Sequence, residues 1–128
     1  MSDQFTVEII SPDQTILKQE TKEVIIPSFE GQMGILNNHI PLITFLRPGI
    51  ITIKTEGETK YYVEEGTVEF LNNNLLILTS TARDLANLDK NKINELLQKA
   101  ETNLNNQSTD KERYVASYKL ETLKEISQ

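Results

Sequence analysis

The side chains of this sequence that could take part in chemistry are few and widely spaced. The single histidine, His39, has no Gly-x-Ser-x-Gly segment whose serine it could activate. Glu64 and Glu65 are adjacent, so in a strand their carboxylates point to opposite faces and cannot share a substrate. The absence of cysteine excludes a cysteine nucleophile and thiolate metal sites. These residues argue against a self-contained enzyme.

Metal and phosphate sites are also hard to build from this sequence. Its carboxylates are scattered without the spacing that metal ligands need, so we expect no metal site. Gly31 and Gly34 enclose only two residues, too few for a phosphate-binding loop, and indicate a bulged or tightly turned strand instead. The sequence therefore favours a binding or assembly module that carries no cofactor.

Charge and hydropathy narrow the class of partner. The net charge is −6, with 6 Lys/Arg against 12 Asp/Glu in residues 1–86 and 7 against 7 in residues 87–128. Nucleic-acid binding needs clustered cations, so we expect no nucleic-acid partner. No apolar run approaches the ~20 residues of a membrane-spanning helix, and the first residues lack the features of a signal peptide. We therefore expect no insertion into a membrane.

The elements that would position these side chains begin with short strands. Phe5, Val7 and Ile9 alternate on one face, and about nine such segments are separated by turn signals, which is typical of an antiparallel sandwich or barrel. Pro27 is expected to end its strand or to lie at a sheet edge. Residues 41–46 are apolar on both faces and are expected to be well buried.

Near Ala86 the apolar period changes to that of a helix. The predicted buried stripe of the first helix consists of Ile93, Leu96, Leu97, Ala100 and Leu104. Asp89 is expected to cap this helix, and Thr109 with Glu112 forms a capping box for a second one. The polar link at residues 105–108 implies an antiparallel hairpin. The predicted organisation is α+β, with a β-sandwich domain at residues 1–86 and a two-helix domain at residues 87–128.

One segment between the predicted strands carries a family resemblance. It reads Glu30-Gly31-Gln32-Met33-Gly34-Ile35-Leu36, then two asparagines, then His39-Ile40-Pro41-Leu42, with Arg47-Pro48-Gly49 after it. This run resembles the bacterial epsilon subunit of F-type ATP synthases, the counterpart of the mitochondrial delta subunit. The resemblance covers nearly the whole chain, and it implies an antiparallel β-sandwich of about ten strands followed by a C-terminal antiparallel α-helical hairpin.

The resemblance also implies a function. Such a chain is a non-catalytic rotor subunit of the central stalk of a proton-translocating ATP synthase, peripheral on the cytoplasmic face of the bacterial inner membrane. It couples the c-ring to the gamma subunit. The residues expected to face the c-ring are Glu30, Gly31, Gln32, Met33 and Gly34. Those expected to face gamma are His39, Ile40, Pro41 and Leu42. Many members carry Glu where this chain has Gln32, so an ion pair with the ring is excluded there.

Two further family roles concern the helical hairpin. Some bacterial members bind ATP through a Leu/Ile-Asp-x-x-Arg-Ala motif, which here reads Leu88-Asp89-Lys90-Asn91-Lys92-Ile93. Lys92 lacks the planar grip of a guanidinium on phosphate, so nucleotide binding by Asp89 and Lys92 is disfavoured.

The second family role is inhibition, in which the second helix extends to the alpha/beta catalytic head. In this chain the cations of that helix are offset by glutamates, so we expect weak or absent inhibition of ATP hydrolysis.

Two other classes of protein stay open at this point. A free-standing sandwich adaptor or carbohydrate-binding module with a helical tail should present a platform of exposed aromatics, and the 4 Tyr and 4 Phe are scattered along the strands and the second helix. A small hydrolase would need a nucleophile and base that the sequence lacks. Complex formation with a gamma-like subunit separates the rotor subunit from both.

Overall fold

The structure is a computed structural model that describes residues 3–107 and 109–127. Strands occupy the first two thirds of the chain and helices the last third. The strands are β1 Phe5–Ile10, β2 Thr15–Thr21, β3 Glu23–Ser28, β4 Gly31–Leu36, β5 Leu42–Leu46, β6 Gly49–Lys54, β7 Glu58–Val63, β8 Gly66–Leu71, β9 Asn74–Leu78 and β10 Arg83–Asp84. A 3₁₀ turn at Leu85–Asn87 precedes the helices α1 Lys90–Asn105 and α2 Asp110–Ile126.

The ten strands form one sheet that folds over on itself as a sandwich. Its order is β10-β7-β6-β3-β5-β8-β9-β1-β2, and β4 pairs with β3. β3 joins the two halves, because residues 23–25 pair with β6 whereas Ser28 pairs with Leu46 of β5. The predicted α+β class and the sandwich of about ten strands are confirmed. The sheet is not purely antiparallel, since β1 and β9 pair in parallel across the long connection that parallel neighbours require.

The core lies between the two halves of the sheet and follows the period of two in the sequence. Successive strands bury alternate residues, so their other residues point outward. The fully or almost fully buried members are Phe5, Val7, Ile9, Val24, Ile26, Ile35, Leu46, Ile51, Ile53, Tyr61, Val63, Val68, Phe70, Leu75 and Ile77. Phe5 and Phe70 meet edge to face with ring centroids 5.6 Å apart. Local alternation in the sequence therefore indicates the inner face of strands such as β1 and β8.

One expectation about the strands is wrong, and another holds in only one of its two forms. Thr44 and Leu46 of β5 face the core, but Ile43 and Phe45 are 77% and 60% exposed, so residues 41–46 are not buried on both faces. The reason is that the inner face of β5, which carries Thr44 and Leu46, is buried, whereas its outer face lies at the surface of the described chain. Pro27 is not the last residue of β3, which ends at Ser28, but it does lie at a local sheet edge, as the alternative form of the prediction states. On one side, β3 pairs with β6 at residues 23–25 and with β5 at Ser28, so Pro27 lies between the two pairings. The backbone N–H that proline lacks therefore costs no hydrogen bond there.

The helical hairpin covers the outer face of β7. Tyr62 is fully buried there beneath Leu96, Ala100 and Leu123, in a second apolar cluster separate from the core. The predicted caps are present: Asp89 precedes α1 and accepts from the amide of Lys92, and the Thr109 side chain precedes α2 and accepts a hydrogen bond as well. Ser108, which the sequence places in the link, lies outside the described residues.

Candidate partner-binding surfaces

The two groups of residues predicted to meet partners lie at opposite ends of one strand. The turn at residues 28–31 leads into β4, and the turn that carries His39 follows its last residue, Leu36. A strand rises about 3.3 Å per residue, so the two turns are roughly 17 Å apart. The structure therefore separates the expected ring side from the expected gamma side, with β4 as the rigid spacer between them.

The turn before β4 is tied by its own side chains. The Ser28 hydroxyl donates to the carbonyl of Gly31 at 2.7 Å and accepts from the amide of Glu30 at 3.2 Å. Gly31 has a φ of 118°, which L side chains rarely adopt, so glycine is required there. Glu30 and Gln32 are exposed. The start of β4 and the turn before it thus present one carboxylate and one amide beside a hydrogen-bonded backbone.

Of the other predicted ring-side residues, only Gly34 is exposed to solvent. Met33 is half-buried and packs against the core, whereas Gly34 is exposed. A Cβ at Gly34 would lie 3.3 Å from a carboxylate oxygen of Glu23, so the glycine leaves room for that side chain. Polar contact at this end of the sheet is therefore left to the side chains of Glu30 and Gln32.

Sequence reasoning missed the residue that supports this turn from behind. Arg47 donates from Nε to the carbonyl of Ser28 at 3.1 Å and from its amide to the carbonyl of Pro27 at 3.0 Å. Gly49 lies two residues further along the chain. A Cβ at this position would lie 2.5 Å from Cβ of Pro27, so no larger residue fits there. The Arg-Pro-Gly segment was interpreted as a turn, and its arginine gave no signal of its partner because that partner lies on another strand.

His39 has a structural role in the second turn. Its Nδ1 donates to the carbonyl of Ile40 at 2.7 Å, and its ring meets that of Phe70 edge to face at 5.7 Å. Ile40 is 74% exposed and Pro41 is exposed, whereas Leu42 packs against the core. Of the four residues expected to face gamma, Ile40 and Pro41 offer their side chains to a partner, and His39 holds the turn.

An apolar patch extends from this turn over the outer face of the sheet. Phe45 is paired with Thr67, and Thr67 with Leu78, so Phe45 and Leu78 flank one threonine. Ile43 lies two residues earlier on β5, on the same face. We call the exposed residues Ile40, Ile43, Phe45 and Leu78 the outer patch. Its signal in the sequence is the apolar residues at positions 41, 43 and 45, but positions 42 and 46 are apolar as well, so the pattern predicts burial on both faces.

The residues of the possible nucleotide motif serve α1 itself. Oδ1 of Asp89 accepts from the amide of Lys92 at 2.7 Å, and Nζ of Lys92 lies 3.9 Å from a carboxylate oxygen of Glu95. Within residues 3–107 and 109–127, no group of three or more His, Asp or Glu side chains is placed to hold a metal ion. None of the described helices is long and apolar enough to cross a membrane.

Comparison with known proteins decides the family. Residues 4–84 match the family model for the β-sandwich domain of the ATP synthase delta/epsilon chain. The ATP synthase epsilon chain of Pelagibacter ubique is 48% identical over 99% of this chain and 100% of its own length. This chain belongs to the ATP synthase epsilon chain family.

Other epsilon chains match over most of their length. That of Afipia carboxidovorans is 33% identical over 97% of this chain and 92% of its own. Among solved structures, a chain of the Euglena gracilis mitochondrial ATP synthase (OSCP/F1/c-ring) has a TM-score of 0.80 at 23% identity, covering 100% of this chain and 84% of that one. A chain of the Tetrahymena thermophila central stalk and c-ring has a TM-score of 0.69 at 16% identity, covering 96% of each. These two establish a shared fold.

The family assignment confirms the resemblance found in the sequence of residues 30–49. It also replaces the free-standing sandwich module as an interpretation. The described surface agrees, because the exposed large apolar side chains of this epsilon chain are mainly aliphatic rather than an aromatic platform of the kind a sugar-binding face uses.

Proposed function

We propose that this epsilon chain is a non-catalytic rotor subunit of the central stalk, which couples the c-ring to the gamma subunit of a proton-translocating ATP synthase. The observation that carries the proposal is the outer patch. Ile43 and Phe45 are 77% and 60% exposed on a strand whose other face lies in the core. Contiguous apolar surface beside an ordered turn is typical of a protein interface.

The gamma subunit is the proposed partner of the outer patch. Ile40 and Pro41 continue the patch at the end of the sandwich, and His39 holds their turn against Phe70. Ile43 and Phe45 extend it along β5, so the proposed contact is wider than the residues named from the sequence. A broad apolar contact suits a subunit that must transmit torque without slipping, because its strength comes from area and close packing.

The c-ring is the proposed partner of the opposite end. Glu30 and Gln32 are exposed there and can exchange hydrogen bonds with a polar loop of the ring. The Ser28 hydroxyl and the Arg47 guanidinium fix the backbone of this turn. The sheet between the two ends is continuous and hydrogen-bonded, so it provides a stiff connection from ring to gamma.

Non-catalytic action, with no cofactor, fits the residues that the described chain brings together. His39 uses Nδ1 for its own backbone, and Glu64 accepts from Tyr62 and pairs with Lys119. His39 and Glu64 thus have structural partners. Nucleotide binding stays disfavoured, because Asp89 serves as a helix cap.

Contact of α2 with the alpha/beta catalytic head is proposed to be weak. Lys119 pairs with Glu64 at 3.2 Å, and Nε of Arg113 donates to the carbonyl of Gln107 at 3.2 Å. These two cations are therefore engaged within the folded chain. Truncation after Leu88 is expected to change ATP hydrolysis by the reconstituted complex little, and a large increase would contradict this part of the proposal.

The proposed site of action is the cytoplasmic face of the bacterial inner membrane, where the chain is held by its partners. The bacterial epsilon chains that it resembles support this location. No nucleic-acid partner is proposed, because Lys54, Lys99 and Lys119 each lie within ion-pair distance of a glutamate.

Binding to an isolated gamma subunit tests the proposal. The wild-type chain is expected to co-purify with gamma, and Ile43→Asp is expected to raise the Kd at least ~10-fold, because it places a charge in an apolar contact. Gln98→Glu is the matched control: it adds the same charge at an exposed position of α1 and should bind like the wild type. Failure of the wild type to bind, or unchanged binding by Ile43→Asp, would overturn the proposal.

A further inference from the structure

We propose that α2, in its folded position, braces the turn at residues 28–31, so that docking of the hairpin and order of this turn are energetically coupled. The brace consists of Phe29, Arg47, Tyr114 and Tyr118. The coupling is a property of the chain alone. Its consequence for the c-ring rests on the proposed function, which assigns this turn to the ring.

The first contact of the brace joins α2 directly to the turn. Phe29 is the residue between Ser28 and Glu30, and its ring stacks on that of Tyr114 with centroids 6.3 Å apart and planes at 23°. The two side chains are 41% and 44% exposed, so neither belongs to an apolar core. Two exposed aromatic rings that meet from separate elements indicate a docking contact at the surface.

The second contact reaches the same turn through Arg47. The guanidinium carbon lies 4.1 Å from the ring centroid of Tyr118, while Nε donates to the carbonyl of Ser28. Arg47 therefore touches α2 with one face and the backbone of the turn with its edge. A guanidinium over a tyrosine ring is a favourable cation–π arrangement.

The two contacts are linked within α2. Tyr114 and Tyr118 are four residues apart on one helix face, their rings meet edge to face at 4.7 Å, and their hydroxyls are 3.2 Å apart. The contacts thus close a cycle from Phe29 through both tyrosines and Arg47 back to the turn. A rigid helix that holds both tyrosines at a fixed spacing fixes the distance between Phe29 and Arg47.

The hairpin has separate anchors, so the brace is not what folds it. Leu123 and Leu96 bury Tyr62 under the hairpin, and Nζ of Lys119 lies 3.2 Å from a carboxylate oxygen of Glu64. These contacts are made by β7 and the residue that follows it, and not by residues 28–31. Removal of one brace residue should therefore loosen the turn while leaving α2 docked.

Coupling of this kind acts in both directions by the same factor. Docked α2 stabilises the turn, and any contact that holds the turn in place stabilises docking of α2. A polar loop of the ring that binds Glu30 and Gln32 would in this way favour the folded hairpin. A partner that displaces Phe29 would favour its release.

Amide hydrogen exchange of the full-length chain, without gamma or ring, tests the coupling. The reporters are the amides of Phe29, Glu30 and Arg47, which donate to the carbonyl of Phe45, the hydroxyl of Ser28 and the carbonyl of Pro27. Tyr114→Leu and Tyr118→Leu are expected to raise their exchange rates about 3- to 10-fold, the worth of one aromatic contact. The amide of Asn38, at the far end of β4, should not change.

Two controls and the reverse experiment complete the test. Ser117→Ala alters an exposed position of α2 and should leave the reporters within about twofold of the wild type. Tyr118→Phe keeps the aromatic ring beneath Arg47, so its reporter amides should also exchange within about twofold of the wild-type rates. This expectation holds even if Tyr118→Leu releases the hairpin. Phe29→Leu is expected to raise the exchange of the α2 amides by a similar 3- to 10-fold factor.

The coupling would be overturned by unchanged reporters in both tyrosine-to-leucine variants, by equal loosening in Tyr118→Phe and Tyr118→Leu, or by an effect in one direction only. Since neither gamma nor ring is present, such a failure leaves the proposed function standing. A chain that shows the coupling and fails to bind gamma would overturn the proposed function instead.

Discussion

Asn38 and Asn73 exchange two hydrogen bonds between the turn after β4 and the turn after β8. The amide of Asn38 donates to Oδ1 of Asn73 at 2.6 Å, and Nδ2 of Asn73 donates to Oδ1 of Asn38 at 3.0 Å. Both residues have a left-handed backbone conformation, with φ of 63° and 57°, which asparagine tolerates better than most residues do. The pair fixes the turn of His39 and Ile40 to the layer that carries β8 and β9.

Asn73→Ala should lower the free energy of unfolding by about 1–3 kcal/mol, because it removes both hydrogen bonds and adds backbone strain. Urea denaturation measures the change. Asn72→Ala is the matched control, since Asn72 has a φ of 52° and is exposed, so its loss should be about 1 kcal/mol or less. Equal losses in the two variants would show that the side-chain pair contributes nothing.

Tyr62 makes the stability of the chain sensitive to alkaline pH. Burial raises the pKa of the Tyr62 phenol above its usual 10.0, and the Glu64 carboxylate that accepts its hydrogen bond raises that pKa further. The folded state therefore favours the neutral phenol. Its contribution to stability is complete below pH 10 and is lost as the pH rises above 10 toward the folded pKa.

Above pH 10, the free energy of unfolding should fall by up to about 1.4 kcal/mol per pH unit for each such tyrosine. Tyr62→Phe should reduce this slope, and at pH 8 it should cost about 1 kcal/mol through the lost hydrogen bond. Some slope will remain, because burial also raises the pKa of Tyr61. Urea denaturation from pH 8 to 11 gives both quantities, and an unchanged slope in Tyr62→Phe would contradict the assignment.

Asp89 is expected to act as a helix cap and not as a nucleotide ligand. Asp89→Ala should lower the free energy of unfolding by about 0.5–2 kcal/mol, whereas Asp89→Ser should retain most of the stability because serine also caps helices well. Thermal unfolding with and without ATP is the measurement. A rise in Tm with ATP for the wild type that disappears in Asp89→Ser would instead show that the aspartate binds the nucleotide.

Local patterns explain how much of the fold the sequence predicted. Alternation in β1 and the caps at Asp89 and Thr109 depend on neighbouring residues, so they are visible in sequence. Residues 41–46 are predicted to be buried on both faces because apolar residues on both faces of a strand do not reveal which face is covered. That depends on the strands and helices that pack nearby, which is a long-range property.

The candidate site divides in the same way. The tight turn at Gly31 follows from turn chemistry, and the family resemblance implies that Ile40 faces a partner; Gly31 has a left-handed φ and Ile40 is exposed. The contact of Arg47 with Tyr118 joins a turn to a helix far along the chain, so the residues next to either one in sequence do not indicate it. The parallel pairing of β1 with β9 was missed for the same reason.

The central claim is that one end of β4 meets the c-ring while the other end meets gamma. The chain has no cysteine, so Gln32→Cys and Ile40→Cys each introduce a single reactive thiol. After assembly into the ATP synthase and treatment with a thiol-attached photo-crosslinker, Gln32→Cys should link to the c subunit and Ile40→Cys to gamma. Cross-links that are exchanged between the two partners, or absent from both, would contradict the rotor assignment.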